Sequence, residues 1–279
     1  SLSYSCSSRP STRESSKPGA SVYPVISLIT KNKYNNLTQL FSLQGDNQNA
    51  AILRTKTIDS NIFTFTKDYN MGVLLHPESI ALYKKLNSCS KIISVCEIGA
   101  SFSVDESYKS LGLIREEEES GKDNKFVISS NIHRYYNDWG KHKIIYLKKV
   151  FMRPVMKIDS KVLSQSRISQ MTEPKIIIAG MTKEIRGYYD EDGKYSSGIP
   201  TVILTRFTTN PYVLLGIVNS SLINYYFHLM FGSLSLSGGY LRIGTPQIQQ
   251  LPYVNIKKED ENIIEKLVKE IIHAKSNNS

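Results

Sequence analysis

The stretch "NPYVLLGIVNSSLINYYFHLMF", Asn210 to Phe231, is the strongest helical signal in the sequence. Asn210 suits the capping position of a helix, and Pro211 suits its first turn because the missing N–H is not needed there. Behind them, apolar residues recur at helical spacing. They are Leu214, Val218, Leu222, Tyr225 and Leu229. The stretch therefore predicts one long buried helix.

Four polar residues interrupt this apolar segment near its middle, namely Asn219, Ser220, Ser221 and Asn224. A membrane span carries few such residues at its centre and is usually flanked by basic residues, which do not follow here. The segment is therefore interpreted as a core helix, and no membrane is expected as a partner.

A glycine-rich loop, "FGSLSLSGGYLRIGTPQIQQLP" (Phe231–Pro252), follows the helix directly. Its candidate DNA contacts are Ser237, Gly238, Gly239, Tyr240 and Arg242. The glycines let the backbone come close to a phosphate or a groove edge. The serine can donate to phosphate oxygens, and Arg242 can pair with a phosphate or a guanine edge. The alternative is a flexible connector in which Arg242 binds a carboxylate of the protein itself.

Shorter segments elsewhere predict an α+β fold with a mixed β-sheet around the long buried helix. Apolar and β-branched runs predict strands at residues 22–30, 62–66, 91–99, 141–151, 174–180 and 199–205. "GYYDEDGKYSSG" contains an Asp-Gly turn and predicts a hairpin. "HPESIALYKKLN" predicts a helix that begins near Pro77.

The chain ends in "KKEDENIIEKLVKEIIHAK", which predicts a C-terminal packing helix. Acidic residues open this helix and basic residues close it, in agreement with the helix dipole. An apolar stripe suited to packing against another helix consists of Ile263, Ile264, Leu267, Val268, Ile271 and Ile272. As an alternative to DNA binding, Ile264, Leu267 and Ile271 could make the chain an interaction or scaffold module.

The chain of 279 residues has a formal net charge of +10 and a sequence pI near 9.3. This excess favours a polyanionic partner, nucleic acid first and an anionic membrane surface second, although some basic proteins bind nothing acidic. Cys6, Cys89 and Cys96 form neither a metal cluster nor an even disulfide set, which favours a reducing compartment and hence the cytoplasm. Residues 1–20 lack the apolar core of a signal peptide and are predicted to be a disordered lead-in.

A second candidate surface is the basic segment "KDNKFVISSNIHRYYNDWGKHKIIYLKK", Lys122–Lys149, with seven lysines and arginines against two aspartates. Its predicted DNA contacts are Arg134, Lys141 and Lys143. Its aromatic residues are expected to pack inside the fold. Arg186 and Lys194, on the predicted hairpin, could also enter a groove, but the acidic tip argues against deep insertion.

The sequence contains no phosphate-binding loop, no dinucleotide-binding glycine motif and no zinc-ligand spacing. Asp190, Glu191 and Asp192 could hold a metal ion in a nuclease, but such residues at a turn are usually turn formers. We therefore predict no catalytic residue, no metal ligand and no cofactor within this chain.

The order of these segments resembles the TaqI-like C-terminal specificity domain. That domain is the target-recognition part of adenine-N6 DNA methyltransferases and of fused restriction-modification enzymes. The resemblance extends from about His76 to Tyr253, and its most specific element is "LLGIVNSSLINYYF" followed by the glycine-rich loop, the lone Arg242 and the stop at Leu251–Pro252. The chain departs from the family in the glycine-poor "EIGASFSVDES" and in the acidic insertion Glu116–Glu119.

What the resemblance implies is sequence-specific recognition of double-stranded DNA by a module without chemistry of its own. A methyltransferase catalytic domain, in cis or in trans, would bind S-adenosylmethionine and methylate an adenine rotated out of the stack. Mg²⁺ would be required if the parent enzyme also cleaves. The expected parts are a lead-in (1–20), the end of the methyltransferase domain with a linker (21–75), the DNA target-recognition domain (76–255) and the C-terminal helix (256–279).

Overall fold

The computed structural model of the protein describes residues 37–44, 51–59, 77–118, 123–232 and 236–277. It confirms the predicted α+β class, with helices and several small β-sheets. The chain divides into two compact units. One contains residues 1–85 with 236–238, and the other contains residues 86–235 with 239–279.

The described part of the first unit includes an antiparallel hairpin of β1 (Leu37–Gln44) and β2 (Ala51–Asp59), with a β-bulge between Ser42 and Leu43. Neither strand is among those predicted, because their sequences do not alternate strictly between apolar and polar residues. The predicted lead-in and the predicted strands at 22–30 and 62–66 lie outside the described residues.

The remaining elements are short, apart from the C-terminal helix. The helices are α1 (Pro77–Asn87), α2 (Val104–Lys109), α3 (Gln165–Thr172), α4 (Pro211–Val218), α5 (Ser221–Phe231), α6 (Thr245–Ile248) and α7 (Lys258–Asn277). The strands are β3 (Ser90–Lys91), β4 (Glu97–Ala100), β5 (Ile114–Glu116), β6 (Asn124–Val127), β7 (Ile144–Tyr146), β8 (Lys149–Phe151), β9 (Pro154–Met156), β10 (Lys175–Ala179), β11 (Met181–Thr182), β12 (Gly187–Asp190), β13 (Tyr195–Ser197), β14 (Thr201–Thr205), β15 (Leu241–Arg242) and β16 (Pro252–Tyr253).

The centre of the second unit is an antiparallel sheet of strand order β12-β10-β14-β4. β10 and β14 are buried along their whole length, which explains why their sequences, KIIIA and TVILT, are almost uninterrupted apolar runs. Ile177 pairs with Tyr188 on one side and with Ile203 on the other, and all three belong to one buried cluster. The strands predicted at 174–180 and 199–205 are thus confirmed.

The predicted hairpin of "GYYDEDGKYSSG" is wrong. β12 pairs with β10, whereas β13 pairs in parallel with β6 in a second, mixed sheet of order β13-β6-β9-β5. The carboxylate of Asp190 accepts the backbone N–H groups of Lys194 at 3.0 Å and Tyr195 at 2.9 Å, and it pairs with Lys175 at 2.7 Å. These bonds occupy the N–H groups with which a hairpin would begin, so the two strands separate.

The single helix predicted for Asn210–Phe231 is also wrong, because the segment forms two helices, α4 and α5, bent by 54°. Asn210 caps α4 as predicted. The break lies at Asn219, which follows α4, and at Ser220, whose hydroxyl accepts the N–H of Ile223 and caps α5. Among the described helices, none alone is long and apolar enough to cross a membrane; only this bent pair reaches that length and composition together.

Asn219 breaks the helix because its side chain binds the sheet. Its Oδ1 accepts the N–H of Gly187 and its Nδ2 donates to the C=O of Gly187, both at 2.9 Å. The residue is only 2 % exposed, and a buried amide requires such partners. One of the polar residues that argued against a membrane span is therefore the residue that divides the segment.

Two further predicted strands are wrong in their extent. The segment 91–99 is divided between β3, a 3₁₀ turn at Ile92–Ser94, and β4. The segment 141–151 is a hairpin of β7 and β8 with its turn at Leu147–Lys148. In the first segment the apolar run continues through the turn, and in the second the turn residues Leu147 and Lys148 are not typical turn formers, so periodicity alone reveals neither turn.

The C-terminal helix α7 packs against α4, as its apolar stripe predicts. A Cβ on Gly216 of α4 would lie 3.1 Å from both Ile264 and Val268, so the two helices approach closely at this glycine. Val268 is 3 % exposed, but Ile263 and Leu267 are 56 % and 51 % exposed. The predicted stripe is therefore correct for Ile264 and Val268 and wrong for Ile263 and Leu267.

Replacement of Asn219 by alanine is expected to lower the free energy of unfolding by about 1–3 kcal/mol, because the buried N–H of Gly187 loses its partner, whereas its C=O keeps the N–H of Tyr135. Urea denaturation followed by circular dichroism measures this change. The control Ser221→Ala, at an exposed position, should change stability by less than about 0.5 kcal/mol. Equal stability of Asn219→Ala and the unchanged protein would contradict this account of the helix break.

Candidate nucleic-acid interface

The predicted contact Arg242 lies in a two-stranded antiparallel ribbon of β11 and β15, where it pairs with Met181. Its neighbour Leu241 is 1 % exposed, whereas Arg242 is exposed. Successive side chains of a strand point to opposite faces, so the buried Leu241 places Arg242 on the outer face. Met181, directly across the ribbon, is also exposed, and the ribbon thus presents a cation beside an apolar side chain.

Tyr240 and Lys183 extend this outer face. Both are exposed, and the Nζ of Lys183 lies 5.8 Å from the centre of the Tyr240 ring, within the range of a cation–π interaction. We call the four exposed residues Met181, Lys183, Tyr240 and Arg242 the Arg242 surface.

The two glycines before Tyr240 adopt a backbone conformation that favours glycine. Gly238 and Gly239 have φ angles of 79° and 77°, in the left-handed region that other residues rarely enter. A Cβ on Gly239 would meet no atom within 4 Å, so the space beside its backbone is open. The side chain of Ser237 lies outside the described part of the structure.

Gly180 attaches the ribbon to the central sheet. Its C=O accepts the N–H of Ile243 at 2.9 Å, and its N–H donates to the C=O of Pro200 and to the hydroxyl of Ser129, both at 3.0 Å. A Cβ on Gly180 would lie 2.5 Å from the Pro200 oxygen. Only glycine fits here, so the base of the Arg242 surface is held tightly against the residues before β14.

The basic segment ends in the hairpin of β7 and β8, which we call the basic hairpin. Lys141 and Lys143 precede its first strand, and Lys148 and Lys149 lie at its turn; all four are exposed. The inner face is buried at 3–6 % exposure and consists of Ile144, Tyr146 and Phe151. The hairpin therefore has an apolar inner face and a cationic rim.

Tyr146 joins the basic hairpin to the same turn that holds the ribbon. Its ring packs edge-on against Phe126 with ring centres 5.0 Å apart, and a Cβ on Gly198 would lie 2.6 Å from it. Gly198 and Pro200 belong to the turn between β13 and β14. The Arg242 surface and the basic hairpin are thus both built on residues 198–200.

Three other predicted contacts are engaged within the protein. The guanidinium of Arg134 donates to the backbone C=O that follows α4. Arg186 pairs with Glu184 at 3.2 Å, and Lys194 pairs with Asp192 at 2.5 Å. They remain predicted contacts, but a phosphate would compete with a protein acceptor at each of them.

Trp139 packs within the fold, as predicted for the aromatic residues of the basic segment. Its Nε1 donates to the C=O of Pro154 at 2.8 Å. Its ring centre is 4.7 Å from the Nζ of Lys125 and 4.6 Å from the guanidinium carbon of Arg153. The indole therefore helps to position the strands behind the basic hairpin.

The acidic residues considered for nuclease chemistry are part of the turn after β12. Asp190 is 4 % exposed and bound to Lys175, whose pKa is lowered by burial against the opposing effect of this carboxylate. Glu191 accepts the hydroxyl of Tyr212 at 2.8 Å, and Asp192 pairs with the lysine after the turn. Within the described residues, no three histidine, cysteine or acidic side chains are placed to hold a metal ion.

Met181 and Lys183 are the residues of the Arg242 surface that sequence reasoning missed. The sequence does contain a signal for them, because both come shortly after the predicted strand 174–180 and so lie beyond one end of that strand. Their pairing with Tyr240 and Arg242 was not accessible, since it joins segments far apart in the chain.

Both candidate surfaces lie within one match to a known protein family. Residues 124–253 match the TaqI-like C-terminal specificity domain. The match begins with β6, ends with β16, and includes the basic hairpin, the bent helix pair and the Arg242 surface. It confirms the resemblance inferred from the sequence over this range, whereas residues 76–123, which the resemblance also included, lie outside the match. No curated protein matches the chain.

Within the residues that match this family, Gly180→Ala is expected to lower the free energy of unfolding by about 1–3 kcal/mol, because the new Cβ collides with backbone rather than with a movable side chain. Chemical denaturation measures the change. Gly112→Ala is the matched control, since a Cβ at Gly112 would meet no atom within 4 Å. If the two substitutions had the same effect, the close approach at Gly180 would not be a constraint on the ribbon.

Proposed function

We propose that this chain recognises a specific double-stranded DNA sequence as the specificity part of a site-specific adenine-N6 DNA methyltransferase or restriction-modification enzyme. The observation that carries the proposal is the match of residues 124–253 to the TaqI-like specificity domain, because both exposed cationic surfaces lie inside it. Domains of this family bind DNA and act in methyltransferase systems.

The shape of the Arg242 surface suits a DNA groove. The major groove of B-DNA admits a two-stranded β-ribbon, and an arginine there can bind the O6 and N7 of guanine together. Arg242 stands on the outer face of such a ribbon, with Lys183 and Tyr240 beside it. We propose that Arg242 binds a base or a phosphate of the DNA and that Lys183 binds a phosphate.

The charge of the protein supports the same partner. The net charge of +10 attracts a polyanion over a distance, and the exposed lysines of the basic hairpin can replace condensed counterions at phosphates. Binding of this kind weakens steeply as the salt concentration rises.

The chemistry is assigned to a neighbouring methyltransferase catalytic domain, in cis or in trans. That domain would bind S-adenosylmethionine and methylate an adenine turned out of the duplex. Mg²⁺ enters only if the parent enzyme also cleaves DNA. In this proposal the chain acts in the cytoplasm, and residues 21–75 include the end of the catalytic domain.

A helix-mediated interaction module is the second candidate. The exposure of Ile263 and Leu267 on α7 favours it, whereas the packing of Ile264 against Gly216 removes one of its three proposed contact residues. Sedimentation velocity with and without duplex DNA separates the two candidates, because self-association through α7 would occur without DNA.

Arg242→Ala and Lys141→Ala are each expected to weaken duplex binding and to reduce the slope of log K against log salt by about 1, as for the loss of one phosphate contact. If Arg242 reads a base, its variant should also lose discrimination between sequences. Fluorescence anisotropy with labelled duplexes over a salt series measures both effects.

Lys109→Ala is the control for these variants, because Lys109 lies on α2, outside the family match, and pairs with Asp105 at 2.7 Å. It should leave the salt slope nearly unchanged. Equal slopes for the unchanged protein and for both test variants would remove Arg242 and Lys141 from the interface.

A further inference from the structure

The outer face of the basic hairpin carries an apolar pair in an otherwise cationic setting. Ile145 and Val150 are directly opposite each other in the register of β7 and β8. They are 69 % and 60 % exposed, and Ile145 is the most exposed large apolar side chain in the described part of the chain. Directly opposed residues share a face, so the two form one small exposed apolar patch.

The hairpin that carries this patch is firmly fixed. On its inner face Ile144, Tyr146 and Phe151 are buried in a core cluster, and Leu147 at the turn packs against the same cluster. Burial of alternate residues fixes which face of a strand points outward. Ile145 and Val150 therefore cannot turn inward without displacing this core.

The turn of the basic hairpin has a strained backbone conformation that keeps Lys148 exposed. Leu147 and Lys148 have φ angles of 46° and 68°, although two-residue hairpin turns of this conformation normally use asparagine, aspartate or glycine. This backbone lets Leu147 pack inward while Lys148 stays exposed at the tip. Strained residues that the surrounding structure maintains occur preferentially at functional sites.

Only basic charges surround the apolar pair along the chain. The segment from Lys141 to Arg153 contains no aspartate or glutamate. Lys143 and Lys148 are exposed near the pair in sequence, and Lys149, opposite Tyr146 beside the turn, is exposed as well.

Among the described residues, carboxylates reach the hairpin only near its ends, where Glu116 accepts the N–H groups of Met152 and Arg153 and Asp138 lies 3.3 Å from His142. An exposed apolar pair with lysines of the same hairpin nearby complements a duplex, which presents stacked bases between two rows of phosphates.

We infer that the basic hairpin enters a groove of duplex DNA and presses Ile145 and Val150 against a base step, which it partly unstacks. Lys143, Lys148 and Lys149 contact the phosphates on either side. Apolar side chains that enter a groove in this way widen base steps and kink the duplex. Easily deformed pyrimidine–purine steps would then be favoured without a base-specific hydrogen bond. This inference rests on the proposed DNA recognition and assigns to the hairpin the deformation of the DNA.

The test compares two synthetic duplexes that differ only in a central T·T mismatch. A mismatch lowers the energy of unstacking, so a wedge binds the mismatched duplex more tightly, by about tenfold for each 1.4 kcal/mol saved. The full chain is titrated against both duplexes by fluorescence anisotropy. The quantity that matters is the ratio of the two dissociation constants.

Two variants separate the wedge from simple attraction. Ile145→Ser/Val150→Ser should bring the ratio close to one, because the unstacking contact is lost. Lys143→Ala/Lys149→Ala should weaken binding to both duplexes and leave the ratio unchanged. All substituted positions are exposed, and circular dichroism checks that both variants are folded.

The outcomes separate a failure of the proposed DNA recognition from a failure of the wedge alone. If the unchanged protein binds neither duplex, the proposed DNA recognition fails and the wedge with it. If it binds both duplexes equally, or if the Ile145/Val150 variant keeps the preference for the mismatch, DNA recognition stands and the wedge is rejected.

Discussion

The side-chain amide of Asn219 is the interaction on which the arrangement of the second unit depends. It binds both backbone groups of Gly187, the first residue of β12, while its own C=O accepts the guanidinium of Arg134. One residue thus connects the end of α4, the edge of the central sheet and the middle of the basic segment. The direction of α5 follows from this bend.

A buried ion pair connects the central sheet to the turn that leads into the mixed sheet. Lys175 begins β10 of the central sheet, and Asp190 ends β12 and organises the turn into β13 of the mixed sheet. Removal of either partner would leave an uncompensated charge in the interior, which is strongly destabilising. The Arg242 surface is attached to the central sheet, and the basic hairpin packs on the core of the mixed sheet. The Lys175–Asp190 ion pair therefore helps to hold the two surfaces in place.

Local signals in the sequence were sufficient for part of the fold. The cap at Asn210, the buried strands β10 and β14 and the dipole-matched helix α7 all follow from residues that are neighbours in the chain. The break at Asn219 could not be predicted in this way, because the partner that requires it, Gly187, is 32 residues away in sequence. The separation of β12 from β13 was hidden for the same reason, since a parallel pairing with β6 decides it.

The residue types of the candidate site can be predicted from the sequence, but their positions in the fold can be predicted only in part. The sequence indicates Arg242 because it is the lone cation of a glycine-rich loop. It does not indicate the partners of Arg242 across the ribbon, because strand pairing brings them from another segment. The turn of the basic hairpin has no signal in the sequence, because Leu147 and Lys148 are not turn-forming residues and only the packing of Leu147 makes that conformation acceptable.

The surroundings of Trp139 have a practical consequence. The chain contains a single tryptophan, and this residue lies between Lys125 and Arg153 with its Nε1 bound to the strand that follows the basic hairpin. All indole emission from the protein therefore originates at one known point, within a few residues of the lysine-rich rim. Quenching or a spectral displacement upon mixing with a polyanion would report events at that location, without any attached dye.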